Sequence, residues 1–233
     1  DGTEVMVHSV IGNGVDETLD TQRTLLSEKY QGTFAEYVVV PERNVVPKPP
    51  ELTWGQAACL PTAWLTAYRM LVTRGALQPG ETILVQGAGG ALPTAGIVLG
   101  RALGLRVWAT SRDASRRNVA LELGADAVLA SGARLPERVD AVMETVGAAT
   151  WDHSLKSLRP GGRIVISGAT SGANPPADLA RVFFKQLSVI GSTMGTRDEL
   201  TALVALCLRT GIRPLIDREL PMGDAAVGLA AVE

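Results

Sequence analysis

Residues 81–112 read ETILVQGAGGALPTAGIVLGRALGLRVWATSR. An apolar run at 82–85 passes through the glycine-rich turn Gly87-Ala88-Gly89-Gly90 into a helical pattern that stops at Gly104. A second apolar run, 105–109, follows directly. Strand, tight turn, helix and strand within about 30 residues make the βαβ unit whose first turn suits a dinucleotide. Small residues at the turn let the backbone approach a pyrophosphate, and the free N–H groups and positive end of the helix face the anion. A bare glycine cluster would equally suit a strand-to-helix turn that binds nothing. The context favours a cofactor: a strand before, a helix after, and a polar strand tip about 20 residues on. That tip is Thr110-Ser111-Arg112, where the adenosine ribose is expected to lie.

Downstream the alternation continues. A helix over 113–123 is stopped by Gly124, and strand-sized runs at 127–130, 141–144, 163–167 and 188–191 are separated by helical segments such as 150–158 and 178–185. Regular alternation implies an α/β fold, a doubly wound parallel sheet of roughly six strands covered on both faces. A long helix over 198–209, a short strand at Leu215 and a helix from Gly223 complete the pattern. Upstream, 3–10 and 33–41 alternate as strands, Pro41 and residues 47–50 close a short third one, and 15–31 is polar and irregular, a loop or short helix. This section reads as part of a small barrel. Between the two lies a helix over 53–73, capped by Thr53, with Ala57, Cys59, Leu60, Trp64, Tyr68, Met70 and Leu71 on its apolar face. Pro61 should kink or split it.

The bulk numbers bound the partners. With 46% hydrophobic and 20% charged residues and a formal charge of −2, the chain is an ordinary globular one, with no reason to bind nucleic acid or an anionic membrane. Cys59 and Cys207 both sit in apolar helical contexts and read as buried thiols of a reducing compartment. No apolar run reaches the ~18 residues of a membrane span, so a cytoplasmic location is expected. The sequence begins at Asp1 without a methionine and stops at Glu233 inside a helical pattern, which reads as a fragment or the ordered part of a longer chain.

Six segments resemble one family. They are GTFAEYVVVPERNVVPKPP (32–50), LPTAWLTAYRML (60–71), LQPGETILVQGAGG (77–90), LELGAD (121–126), LRPGGRIVISGATSG (158–172) and DLARVFFKQLSVIGSTMG (178–195). In this order they resemble the medium-chain dehydrogenase/reductases, in their quinone oxidoreductase-like or zinc-type alcohol dehydrogenase-like branch. The resemblance implies a GroES-like β-barrel catalytic domain, only partly present, over 1–60 and 197–233, and a Rossmann domain over 61–196. It also implies an active site between the two and a homodimer formed through the sheet edge near 188–194.

The same resemblance, laid residue by residue, gives a candidate site. Cofactor contacts fall on Thr66, on the turn Gly87, Ala88, Gly89 and Gly90 with Ala91 and Leu92, and on Ser111, Arg112 and Arg116. Thr145, Val146 and Gly147, then Gly168, Ala169 and Thr170, then Ser192, Thr193 and Met194 follow successive strands, where open α/β sheets bind ligands. Ala91, Leu92 and Pro93 depart from the family's usual glycine, valine and small residue. Pro93 removes one phosphate-facing donor and Ala91 adds a methyl group at a close approach. Zinc is not supported: Thr62 stands where zinc-dependent members carry a cysteine, and 12–31 holds no cysteine for a structural zinc lobe. His8 and His153, the two histidines, read as a strand-edge and a helix-surface residue.

Charge selects the cofactor. An acid at the tip of the second strand would bond the ribose diol of NAD and repel a 2′-phosphate; Ser111 and Arg112, with Arg116 and Arg117 a turn on, favour NADP(H). Asp113 is the counter-argument, since one residue of slippage would restore an acid. The expected activity is hydride transfer from NADPH to a quinone or an α,β-unsaturated carbonyl, with Thr62 and Tyr68 as catalytic candidates by position. Two alternatives stand beside it. One is a zinc alcohol dehydrogenase with ligands in an absent segment, and the other a dinucleotide-binding sensor or partner-binding protein without turnover.

Overall fold

The computed structural model describes residues 2–231. The N-terminal section holds β1 (Val5–Val7), β2 (Val10–Ile11), β3 (Thr24–Leu25) and β4 (Val45–Pro47), with β1 antiparallel to β4 and β2 to β3. The single strand expected over 3–10 is thus broken at His8-Ser9, where the chain changes partner. The strand expected over 33–41 is not formed, nor is the one at Leu215. Phe34, Tyr37 and Val39 stand 73%, 90% and 90% exposed. Alternation makes a strand only where a neighbour supplies the ladder, and among the described residues neither segment has one.

A continuous helix, α1, spans residues 54–74. Thr53 and Gln56 close a reciprocal capping box at its start. The helix runs on through Pro61 without a break. Lacking an N–H, Pro61 cannot bond the Ala57 carbonyl, which the Leu60 N–H takes instead, and the ladder widens into π turns over Leu60–Trp64 and again over Arg69–Arg74.

The central sheet follows the alternation read from the sequence. It is built from β5 (Thr82–Val85), β6 (Arg106–Ser111), β7 (Ala127–Ala130), β8 (Val139–Glu144), β9 (Leu158–Ile166) and β10 (Ser188–Gly191). Its helices are α2 (Ala91–Ala102), α3 (Ala114–Glu122), α4 (Ala148–Ser157), α5 (Leu179–Phe184), α6 (Arg197–Thr210) and the terminal α7 (Ala225–Ala230). The strands are parallel in the order β10-β9-β8-β5-β6-β7, a doubly wound sheet. Strand order reverses between β5 and β8, so a crevice opens at the carboxyl ends of those two strands.

Strand side chains alternate between two cores. Ile83, Val85, Val107, Ala109 and Met143 face α1, α2 and α6, while Leu84, Trp108, Val142 and Ile164 face Trp151 and Leu155 of α4. Two glycines let α2 lie close on the sheet: a Cβ at Gly96 would come 2.4 Å from the Met143 sulfur, and one at Gly100 would come 2.8 Å from Val107. Both cysteines are free thiols. Cys207 is buried, which pushes it up to about 11, and Cys59 is half-buried.

Candidate functional site

The turn after β5 is open on the side a ligand would need. Gly87 and Gly89 have φ of +73° and +123°, conformations that L side chains avoid. Gly90 is the N-cap of α2, and no side chain caps the helix. The N–H groups of Ala91 and Leu92 therefore lie in a first turn that has no intrahelical acceptor for them. Pro93 occupies the third helical position and contributes no donor, so this helix start offers fewer donors than the usual turn. The uncapped, exposed start fits an anionic group of a dinucleotide.

The other two loops close around that turn. A Cβ at Gly87 would sit 2.6 Å from the Val146 side chain, and one at Gly147 would sit 2.5 Å from the Gly172 carbonyl and 2.8 Å from the Ala169 Cα. Ser171 donates its N–H to the Val146 carbonyl at 2.8 Å, and Ala148 donates to Gly172 at 3.0 Å. Gly168 lies against the Thr145 backbone, while Ala169 and Thr170 stay exposed. Ser192, after β10, donates its N–H to the Ile166 carbonyl at 2.8 Å; its hydroxyl is buried and has no partner among the described residues. An orphaned hydroxyl at a strand end is what a polar ligand group would satisfy.

Met194 has a positive φ of +48° and its sulfur lies 4.0 Å from the Thr66 hydroxyl, which donates to the Thr62 carbonyl. Helix α1 and the 192–195 segment are thereby brought together, and Thr193 is exposed beside Met194. Thr62 lines a cavity of about 420 Å³ with Val5, Val7, Trp54, Ala58 and Pro61. Tyr68 does not line it; half-buried against the core, its phenol is held above the ordinary value by burial and then by Glu199.

At the tip of β6, Asp113 is not free to act as a ribose acid. Its carboxylate caps α3, accepting from the backbone N–H groups of Ser115 and Arg116 and from the Ser115 hydroxyl, and these bonds hold it below the usual carboxylate range. Ser111 is buried and its hydroxyl accepts from the Asp113 N–H, and its carbonyl takes the Arg117 guanidinium. Arg112 and Arg116 are exposed and close no ion pair among the described residues, with the Arg116 stem lying over Gly89. Arg116 at the glycine turn and Arg112 at the end of β6 give this tip two positive charges.

A buried polar chain beneath these loops escaped the sequence reading. The Thr110 hydroxyl donates to Gln86 Oε1 at 2.5 Å, and Gln86 Nε2 donates to the Ser154 hydroxyl and to His153 Nδ1, both at 2.9 Å. Ser154 donates on to Glu144, whose other oxygen accepts from the Val146 and Gly147 N–H groups and the Thr150 hydroxyl. Gln86 and Glu144 are fully buried. The available signal was a Gln and a Glu ending otherwise apolar strands, since buried polar groups survive only when bonded.

Both histidines differ from expectation. His153 is half-buried in that chain, its Nε2 bonded to the Ala133 carbonyl. His8 is 1% exposed, its Nε2 donating to the Gly195 carbonyl at 2.8 Å with Glu17 3.5 Å from Nδ1. Burial lowers its pKa, opposed by the Gly195 bond and Glu17, with Arg197 and Glu199 as the other charges in reach. The unfolded chain, titrating near 6.5, then binds the proton more tightly than the folded one. The stability this histidine contributes is intact above that value and declines as pH falls through the lower folded value. Urea unfolding at pH 7, 6 and 5 should show this decline, and His8→Gln should flatten it; parallel curves for the two proteins would refute the assignment.

No three His, Cys, Asp or Glu side chains are grouped to hold a metal among the described residues, and Thr62 offers a neutral hydroxyl where a thiolate would be needed. This donor set does not fit zinc. No helix among them is long and apolar enough to cross a membrane.

Known proteins place this arrangement. The chain is 26% identical over 96% of its length to crotonyl-CoA carboxylase/reductase of Cereibacter sphaeroides, of which it spans 62%, and 27% identical over 94% to human quinone oxidoreductase, of which it spans 71%. Among solved structures it is similar to an NAD-dependent alcohol dehydrogenase, at 32% identity and a TM-score of 0.90 over 99% of this chain and 72% of that one. It is also similar to the 2-octenoyl-CoA carboxylase reductase CinF in complex with NADP and 2-octenoyl-CoA, at 26% identity and a TM-score of 0.92 over 99% of this chain and 60% of that one. A family description, zinc-binding dehydrogenase, matches residues 91–209, from the first residue of α2 to the last turn of α6. The chain therefore belongs to the zinc-binding dehydrogenase family of the medium-chain dehydrogenase/reductase superfamily.

Proposed function

We propose that this chain binds NADPH at the carboxyl ends of β5, β6, β8, β9 and β10 and forms the nucleotide-binding part of a reductase acting on a quinone or an α,β-unsaturated carbonyl compound. The observation that carries the reading is that the carboxyl edge of the sheet presents an uncapped helix start after β5 with the Arg116 stem over its glycine turn, a second unpaired arginine at the β6 tip, and an orphaned serine hydroxyl after β10. NADPH would supply a hydride to the conjugated acceptor. The Ala91 and Leu92 N–H groups hold phosphate oxygens, Arg112 and Arg116 hold the 2′-phosphate, and Ser192 orients the reactive end. Thr145–Gly147, Gly168–Thr170, Thr193, Met194 and Thr66 shape the walls. Thr62, on the cavity wall, is the hydroxyl that would donate to the developing oxyanion; Tyr68 acts by packing α1.

Relatives that reduce crotonyl-CoA or bind 2-octenoyl-CoA favour an unsaturated thioester as one acceptor, and the human relative favours a quinone. The NAD-dependent structural neighbour speaks for the other cofactor, and the arginines at the β6 tip support NADPH here. The reading includes a division into a partial barrel-like domain over 1–60 and 197–233 and a Rossmann domain over 61–196. It also includes a homodimer through the β10 edge, where Val189, Phe183 and Phe184 are exposed.

Titration of the protein with NADPH and NADH, followed by nicotinamide fluorescence, tests the proposal. Saturable binding that favours NADPH is expected, and Arg112→Ala with Arg116→Ala should weaken NADPH by about 100-fold or more, given ~1.5–3 kcal/mol per charged hydrogen bond, while leaving NADH within a few-fold. Equal losses for both cofactors would refute the 2′-phosphate assignment. Absence of binding by either would sink the reductase and favour a partner-binding role.

A further inference from the structure

A second charged cavity lies outside the crevice. The loop over residues 131–138, α4 and α5 enclose about 640 Å³, lined by Arg134, Leu135, Arg138, His153, Lys156 and Arg181 among others. None of the turn or strand-end loop residues assigned above lines it. Lys156 sits near the end of α4 remote from Gly147, roughly 13 Å along the helix at 1.5 Å per residue. The volume is that of a small-molecule pocket.

Its charges do not cancel. Lys156 pairs with Asp152 and Arg181 with Asp178, while Glu137, the acid on the rim, pairs with Arg106. Arg134 and Arg138 close no ion pair among the described residues. Lys185, beside them, donates to the Leu158 carbonyl instead of a carboxylate; burial, then the Arg138 and Arg181 guanidiniums, hold its ammonium below the usual lysine value. Both His153 ring nitrogens are already bonded, Nδ1 to Gln86 and Nε2 to the Ala133 carbonyl, so neither is free toward the cavity. One part of the wall is apolar: Leu135 lines the cavity and packs against the core of this sheet face. Arg134 and Arg138, two cations without carboxylate partners on the wall of a concave, partly apolar space, form a field that concentrates anions.

We propose that this cavity is a second anion site, taking the phosphate or diphosphate group of a small phosphorylated molecule on Arg134 and Arg138, with its apolar part over Leu135. Guanidiniums suit phosphate because their fork bonds two oxygens at once. The proposal does not depend on the dinucleotide crevice. Isothermal titration with inorganic pyrophosphate, alone and with NADPH present, tests it in the unmodified protein, in the exposed-residue variant Arg134→Ala with Arg138→Ala, and in Arg112→Ala with Arg116→Ala. The expected result is saturable one-to-one binding that weakens tenfold or more in the first variant, persists in the second, and declines with added salt. Hydrogen exchange should show protection over 131–138 and 179–185 on binding. No saturable binding, equal binding by the Arg134/Arg138 variant, or binding lost in the Arg112/Arg116 variant instead would overturn it. Binding by an oligonucleotide with none by pyrophosphate would overturn it as well.

Discussion

Glu144→Ala is expected to lower the free energy of unfolding by about 4 kcal/mol and to loosen the loop after β8. The carboxyl group is 0% exposed and gathers four donors: Val146 N–H at 2.8 Å, Gly147 N–H at 3.0 Å, Thr150 Oγ1 at 2.8 Å and Ser154 Oγ at 2.5 Å. Alanine supplies no acceptor. The Thr150 hydroxyl can turn to the Gly147 carbonyl, 3.3 Å away, but the two backbone N–H groups have no such freedom. Each orphaned buried donor costs about 1–3 kcal/mol, and the vacated volume adds to that. Glu144→Gln keeps the shape and one carbonyl oxygen toward the loop, so the loss should fall to about 1–2 kcal/mol. Urea unfolding of the three proteins measures both. A loss under about 1 kcal/mol for alanine would mean that something other than this carboxyl group holds the loop. Because Gly87 touches Val146, nicotinamide-cofactor affinity should fall in the same order as stability.

Gly147→Ala is the second large effect, and Gly161→Ala is its control. Gly147 has φ 93° and ψ −134°, a region closed to side chains, and its added Cβ would meet the Gly172 oxygen and the Ala169 Cα, both backbone atoms. Neither can rotate away. The loop over 168–172 must retreat, straining the bonds from Ala148 to Gly172 and from Ser171 to Val146. Gly161 also has a positive φ, +75°, but nothing lies within 4 Å of its would-be Cβ. Its alanine variant therefore measures conformational strain alone, about 1–2 kcal/mol. Gly147→Ala should cost about 3–5 kcal/mol by combining strain with overpacking, and it should weaken NADPH at least about tenfold, the equivalent of 1.4 kcal/mol. Equal destabilisation of the two variants would show that the loops are not in the contact described.

Much of the fold was legible because its signals are local. β5, β7 and β10 begin and end where the apolar runs do, at Thr82–Val85, Ala127–Ala130 and Ser188–Gly191. Thr53 caps α1 as its side chain and position required. A strand buried on both faces and a helix with a fixed cap carry their instructions in a few neighbouring residues. The placement of the proposed site's loops was legible too: they follow strand ends, and parallel strands put those ends on one edge.

What the sequence could not determine depended on partners distant in the chain. Residues 33–41 alternate as a strand does, yet no neighbour pairs with them, and period alone does not supply hydrogen bonds. Asp113 could have been a ribose ligand or a cap, and the geometry of α3 makes it the cap. Thr62 and Tyr68 lie on one helix six positions apart, but only Thr62 lines the cavity. His8 became a core residue because Gly195, 187 positions away, offers it a carbonyl. Gln86, Ser154 and Glu144 are unremarkable in sequence and meet only when β5, β8 and α4 pack. By itself the sequence determined the alternation, the caps and the turn, because each is settled within a few residues. Strand pairing, buried polar partnership and the choice among roles for one side chain were settled by the tertiary structure, because each is a free-energy balance between desolvation and a partner that only folding brings within reach.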